Sequence, residues 1–446
     1  MRILWVKMGG LWPSTTGGRV RSLQIVSALS QRHRVTLITT HGPGDDPQGL
    51  ARQLCDCHQV ISIPYDVPKR GSSSFPLAVA RSWFSKYPVD LWKWRVPEMR
   101  DKVRGLIADG MVDVCVSDFL FAAANVPFGP LSHGTPVVLF EHNVEYLIWK
   151  RLSALERSPW KRVLFEMEWR KLRRQEASAC RRADLTIAVS EEDRQRLSRL
   201  APDARTGSIP TGVDTSYFQP AGRPEIPARL VFSGSMDWHP NEDAVMYFGE
   251  SILPLIRRRL PNASFAIVGR NPTARLREAA GRLGMIVTGT VDDVRPYLDE
   301  ASVYVVPLRA GSGTRMKIFE ALGMAKPVVS TTVGAEGLAL TDGQEFIAAD
   351  EPEAFAGAVV SLITDEPRRR ALGEAGRALV VERYSWPQVA HEFEAQCQHI
   401  AGHHEQEEHE ITDGRADLPR ERSPRYRGAR FVAGVHDDAG RPRRYY

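Results

Sequence analysis

The stretch PLRAGSGTRMKIFEALGMAKPVVSTTVGAEG, Pro307 to Gly337, constrains the fold more than any other part of the chain. It follows an apolar, β-branched run, Ser302 to Val306, that reads as a buried strand. A loop of small residues, Ala310-Gly311-Ser312-Gly313-Thr314, comes next. Arg315 to Met324 then reads as a helix, and Pro327 to Thr331 as another buried strand. In open α/β sheets of this kind, ligands bind at the carboxyl ends of the strands.

The chemistry of the stretch points to an anion. Gly311 and Gly313 let the backbone come close to a ligand. Ser312 or Thr314 can cap the helix, whose free N–H groups and positive dipole end favour phosphate. Arg315 and Lys317 in the first turn oppose that dipole unless an anion sits there. Lys317 and Glu320, three apart, share a helix face. A cation beside a phosphate with a carboxylate one turn deeper suits a nucleotide. The competing reading, an ordinary turn with a surface ion pair, is set aside by the strand–loop–helix context.

The remainder of the chain repeats the theme twice. Arg2 to Met8 reads as a strand, followed by a loop with Gly17-Gly18, a helix Arg19 to Ser30 and a strand Val35 to Thr40: one βαβ unit. Val112 to Ser117, Pro136 to Glu141 and Asp184 to Ser190 read as further strands, Val96 to Ala108 and Glu191 to Leu200 as helices. Asp45 to Pro88 shows no regular period, and Trp149 to Arg182 reads as one long basic helix. The Pro-rich stretch Pro220 to Pro227 reads as a linker. Beyond it strands at Arg229–Ser233, Ser264–Gly269 and Ile286–Gly289 alternate with helices at Asn241–Leu260 and Ala274–Leu283. Late helices follow, and from Ala401 the chain turns polar, reading as a disordered tail with His403, His404 and His409 solvated. A chain of 446 residues has room for two domains. The expected fold is α/β, two Rossmann-like doubly wound parallel-sheet domains facing across a cleft. Residues 1–205 and 206–382 form the domains, 383–400 a helix crossing back, and 401–446 the tail.

Totals narrow the functional classes. The net charge of +5 tolerates anionic ligands or membrane surfaces and by itself argues against a nucleic-acid binder. Five scattered cysteines, Cys55, Cys57, Cys115, Cys180 and Cys397, have no paired metal spacing and read as reduced cytoplasmic thiols. No apolar run reaches the length of a membrane span. Aromatics interleaved with basic residues, Phe75 to Trp94, and the basic helix give two candidate faces for an acceptor or a membrane surface; packing within the domain is the competing account. Glu141-His142-Asn143, polar groups at a strand's carboxyl end, mark a candidate catalytic position.

The stretch from Gly311 to Ala321 resembles the nucleotide-sugar site of retaining GT-B glycosyltransferases, the large family-four group also called glycosyl transferases group 1. That group carries two glutamates around the donor. The second matches Glu320; the position of the first is Ser312. The resemblance covers roughly residues 1–400 and implies a cleft between two Rossmann-like domains. It places Glu320 on the ribose and His142 beside the transferred sugar, both as catalytic residues, and Gly17-Gly18 on the donor phosphates and acceptor. The turn at Gly234 lacks the family's Arg and Lys, which leaves Arg315 and Lys317 to carry the diphosphate charge. Ser312, Gly313 and Thr314 would cradle the phosphates, Val291 the base, with Gly269 and Arg270 at the same pocket. The implied activity is transfer of a sugar, with retention and without a metal or other cofactor, from a UDP- or GDP-linked donor to a glycan or lipid-linked acceptor in envelope or exopolysaccharide synthesis. The implied place is the cytoplasm, with peripheral contact at the inner membrane surface. A catalytically silent nucleotide-sugar-binding partner and an epimerase or phosphorylase on the same fold are the alternatives.

Overall fold

The computed structural model describes residues 1–14, 16–68, 72, 74–129, 134–156, 158–310 and 316–414, with side chains through 402 apart from Leu155. Two parallel sheets organise it. The first has the order β3-β2-β1-β4-β5-β6-β7. Its strands are β1 Arg2–Lys7, β2 Arg34–His41, β3 Gln59–Pro64, β4 Val114–Asp118, β5 Val137–Phe140, β6 Leu185–Ala188 and β7 Thr206–Ser208. The second has the order β10-β9-β8-β11-β12-β13. Its strands are β8 Arg229–Ser233, β9 Ser264–Val268, β10 Ile286–Gly289, β11 Val303–Val306, β12 Val328–Ser330 and β13 Ile347–Ala348. Every strand pair is parallel. In each sheet the order reverses at the first strand, β1 or β8, and that reversal opens a crevice at the carboxyl ends.

The strands are apolar because both of their faces are covered. Residues 3–7 of β1 are all buried, as are all of β4, β5 and β6. One face of the first sheet packs Leu4, Val6 and Ile38 against Met99, Val103 and Leu172. The other face packs Ile3, Trp5 and Phe140 against Val389 and Phe393. Those last two belong to the helix Trp386–Gly414, whose first turns therefore cross back onto the first sheet. The Phe393 ring sits 5.3 Å from Trp5 and 5.1 Å from Phe140. Burying such a ring stabilises by about 2–3 kcal/mol. Glu394 adds contacts to Arg32 at 2.6 Å and His33 at 2.8 Å. Where the last helix begins, Val213 N–H donates to Tyr384 C=O at 2.7 Å.

Three expectations change in detail. The long basic helix is two, Glu145–Leu155 and Pro159–Arg182. Pro159 occupies the first helical turn, where its missing N–H costs nothing, whereas inside a continuous helix it would break the hydrogen-bond ladder. The irregular stretch after Asp45 contains an edge strand, β3, and the helices Pro47–Gln53 and Phe75–Trp83. The last helix runs to Gly414 rather than stopping at Ile400. The side chains of His403, His404 and His409, and the tail from 415 on, lie outside the described residues. None of the described helices is long and apolar enough to cross a membrane.

Candidate active-site cleft

Three strands of the first sheet end on polar groups. β1 ends at Lys7, β4 at Asp118, and β5 is followed by Glu141 and His142. Because β1, β4 and β5 are neighbours, those groups meet. Asp118 has no solvent exposure. It accepts from Trp5 Nε1 at 2.8 Å and from Lys7 Nζ at 3.0 Å. His142 Nε2 lies 2.9 Å from Asp118 Oδ1, an ion-pair distance at an angle that leaves both ring nitrogens without a well-aligned hydrogen bond. The ring is wedged between Phe140 at 4.7 Å and Phe119 at 4.9 Å. Burial, then the nearby Lys7 charge, push the His142 imidazolium down to about 3. The ring is therefore neutral at physiological pH. Burial alone raises the Asp118 carboxyl, but Lys7 and His142 outweigh it and hold it below the usual carboxylate range.

The helix Gly17–Ser30 begins over this cluster. A Cβ at Gly18 would lie 3.3 Å from His142 Nδ1, so glycine is what lets the helix start come so close. A Cβ at Gly17 would lie 3.6 Å from Met316 Sδ, in the second lobe. The two lobes thus meet at Gly17 and Met316, with His142 beneath. Arg21, one turn further, is buried and donates to Thr211 Oγ1. Burial brings its guanidinium down to about 10, against the pull of Asp118. Beside the helix start lies an open cavity of about 370 Å³ whose lining includes Lys7, Gly18, Asp45, Tyr65 and Phe119.

In the second lobe, β8 and β9 are followed directly by Gly234 and Gly269. Their φ values of +155° and +152° belong to a region that only glycine occupies readily. A Cβ at Gly269 would sit 1.8 Å from the Gly234 carbonyl oxygen. Lys317, in the helix Met316–Gly323, reaches this turn. Its Nζ donates to Asn241 Oδ1 at 2.8 Å, lies 4.0 Å from the Phe232 ring centre, and would be 2.9 Å from a Cβ on Gly234. A lysine from a different element therefore supplies the cation that the turn's own sequence lacks. Glu320 is half-buried one turn on. Burial raises its carboxyl above the ordinary value, opposed by Lys317. Arg270 donates from Nε to Ser235 Oγ at 2.9 Å on an exposed turn. Val291 packs against the apolar cluster that holds Ile318 and Phe319. Ser312, Gly313, Thr314 and Arg315 lie outside the described residues, as does Gly311.

The sequence reading passed over Asp118, Lys7, Arg21 and Asn241. It named Glu141 beside His142 but passed over Glu176, the buried carboxylate that acts on it. Glu141 is 1% exposed and neither of its carboxylate oxygens has a hydrogen-bond partner among the described residues. Glu176, also buried, accepts from the backbone N–H of Glu145 at 2.8 Å and of Tyr146 at 3.1 Å. Burial first, then Glu176 and Glu145, push the Glu141 carboxyl up; burial brings Glu145 to about 7. A carboxyl whose folded pKa exceeds its unfolded value of about 4.3 costs stability increasingly as pH rises between the two. Glu141→Gln is accordingly expected to gain stability relative to the wild type as pH rises, and to melt at a higher temperature than the wild type at pH 8. The difference should shrink steadily from pH 8 to pH 5 and fade below the unfolded glutamate value of about 4.3. Parallel melting curves from pH 5 to 8 would contradict this account.

Comparison with known proteins covers both lobes. A family model described as Glycosyltransferase Family 4 matches residues 15–217, and one described as Glycosyl transferases group 1 matches residues 227–365. A phosphatidyl-myo-inositol mannosyltransferase of Mycolicibacterium smegmatis is 31% identical over 216 residues, 46% of this chain and 54% of that protein. An alpha-maltose-1-phosphate synthase of the same organism is 27% identical over 58% of this chain and 72% of its own length. The mannosyltransferases are matched over about half of their length. Among solved structures, an Anabaena protein, HepE, in complex with UDP superposes with a TM-score of 0.62 over 89% of this chain and all of that one, at 14% identity. That similarity supports the two-lobed fold.

Proposed function

The chain belongs to the group 1, family 4 glycosyltransferases of the GT-B fold, and from that premise we propose that it moves a sugar from a nucleoside-diphosphate donor to a glycan or lipid-linked acceptor. The observation that carries the reading is the convergence at one crevice of Gly17 and Gly18, the His142–Asp118 pair, and the helix bearing Met316, Lys317 and Glu320.

The chemistry can be assigned residue by residue. Bond breaking leaves negative charge on the diphosphate. Lys317, held by Asn241 and pressed against the Phe232 ring, offers a fixed cation at the Gly234 turn, and the start of the helix Met316–Gly323 adds backbone N–H groups. Such groups stabilise charge without reorganising at the moment of reaction, and the reading calls for no metal. Glu320, deeper along the same helix, accepts from the ribose hydroxyls. His142, neutral and with Asp118 beside Nε2, carries its proton on that nitrogen and leaves Nδ1 to accept from a hydroxyl of the transferred sugar. In the absence of a nucleophilic carboxylate assigned to the sugar's reacting face, we read the transfer as a same-face displacement with retention. Among the relatives, a GDP-mannose-dependent phosphatidylinositol monomannoside mannosyltransferase and a phosphatidyl-myo-inositol mannosyltransferase support a GDP-linked donor and a lipid-linked acceptor; a UDP-linked donor and a place in envelope synthesis are part of the proposal.

The test is a donor screen. Purified protein is incubated with UDP-, GDP-, ADP- and TDP-sugars, with and without EDTA. One donor should release its nucleoside diphosphate in both conditions. Nucleotide binding with no turnover under any acceptor condition would favour the silent-partner reading instead. An inverted product would overturn retention.

A further inference from the structure

Away from the crevice the first lobe holds a second concave region that the donor chemistry leaves unused. A cavity of about 190 Å³ is lined by Arg95, Arg100, Arg104 and Arg182, and no carboxylate lines it among the described residues. A neighbouring cavity of about 390 Å³ shares Arg95, Arg100 and Ala124 with it, adds Arg81 and Lys93, and is likewise free of carboxylates in its described lining. Tyr65 lines both this second cavity and the one beside Gly18. Shared lining residues therefore place the three hollows side by side, from the helix start at Gly18, past Tyr65, to the four arginines.

The arginines are arranged for a ligand rather than for internal pairing. Arg95 stacks on Tyr87 and Trp92, 4.7 and 5.0 Å from the ring centres, and Arg182 on Phe128 at 4.9 Å. Stacking holds a guanidinium plane while leaving its edge N–H groups available. Arg100 meets Asp101 at 3.4 Å, a neighbour in the chain that is itself 67% exposed on its side chain. Lys93 is committed to Asp90 at 2.5 Å. Like charges gathered in one hollow repel, and an oxyanion relieves that repulsion. Guanidinium forks match phosphate oxygens bidentately, which a scattered lysine surface does not.

We propose that the arginine hollow binds a phosphate group of the acceptor, so that the acceptor is a phosphate-bearing molecule lying across these hollows past Tyr65 with its hydroxyl end at the crevice. The proposal rests on the glycosyltransferase reading for the word acceptor; the phosphate site itself does not. Arg104 and Arg182 are exposed, so replacing them leaves the core intact.

The experiment titrates inorganic pyrophosphate into the full chain by calorimetry, comparing wild type, R104Q/R182Q and K317Q. The expected result is at least about a tenfold weaker site in R104Q/R182Q, with that site retained in K317Q. Pyrophosphate binding unchanged in R104Q/R182Q, or abolished by K317Q alone, overturns the proposal. Co-sedimentation with vesicles containing phosphatidylglycerol then separates two sources. Arginine-dependent pelleting supports a lipid headgroup; pyrophosphate binding without pelleting supports a water-soluble phosphate ester. If no nucleotide binds the wild type, the transferase reading fails, while the pyrophosphate comparison still decides the site.

Discussion

Replacing Glu320 by alanine is expected to weaken donor binding by about a hundredfold or more while leaving the protein folded. Two ribose hydroxyls donating to a carboxylate contribute about 1.5–3 kcal/mol each, because the acceptor is charged. Removing both contacts therefore reaches the hundredfold range. The same carboxylate is a cost to the empty protein. Burial raises its pKa, and Lys317 only partly compensates. Glu320→Ala should thus melt no lower than the wild type at neutral pH, the pattern of a residue kept for binding rather than for stability. The pH dependence has a definite sign. Since the folded pKa is raised, protonation begins above the ordinary glutamate value of about 4.3, and donor affinity should fall as pH drops through that raised value. Nucleotide titration across pH, for wild type and Glu320→Ala, checks both statements. Unchanged donor affinity in the variant would remove Glu320 from the ribose.

The parts of this fold that were legible in the sequence are those where local pattern and burial agree. Arg229–Ser233, Ala274–Leu283 and Ile286–Gly289 lie where the apolar runs and glycine stops put them. β3 was not legible: of its six residues only Ile63 is buried, as expected for a strand at a sheet edge, so the run QVISIP carries little signal. The stretch read as one helix from Asn241 to Leu260 is interrupted at Phe248–Ile252 by wider turns, just before Pro254, whose ring removes a hydrogen bond of the ladder. At the cleft, Gly18 was visible as half of a double glycine where the loop after β1 passes into a helix, and His142 because it stands just past the end of β5. Asp118 obeyed the same rule, standing at the end of VCVSD, yet nothing local told it from a surface aspartate. Its importance comes from β1, β4 and β5 lying side by side, and that order is a property of the whole sheet. The Lys317–Gly234 approach, separated by 83 residues in the chain, is of the same kind.

Asp118→Asn is expected to be the most destabilising conservative change in the first lobe. Asp118 is wholly buried among Lys7, Trp5 Nε1 and His142, with Arg21 also acting on its charge. Removing one partner of a buried ion pair costs about 3–5 kcal/mol, because the charge left behind stays desolvated. Lys7 is only 6% exposed, so it cannot swing into water to escape. The amide keeps the shape of the carboxylate and its bond to Trp5, so the loss reports charge rather than a cavity. Linkage supplies a check that a packing defect would not pass. The folded pKa of Asp118 lies below its unfolded value of about 3.9, so the stability it contributes is present above that pH and is lost as pH falls toward the folded value. The gap between wild type and Asp118→Asn should accordingly be widest at neutral pH and narrow below about pH 4, read by denaturant unfolding. A gap that persists undiminished in acid would mean that the residue holds shape only. On the proposed reading of His142, the variant also removes the carboxylate 2.9 Å from Nε2, so turnover should fall in it even at temperatures where it is folded. Stability of the first sheet and polarity of the reaction site would then rest on the same buried carboxylate.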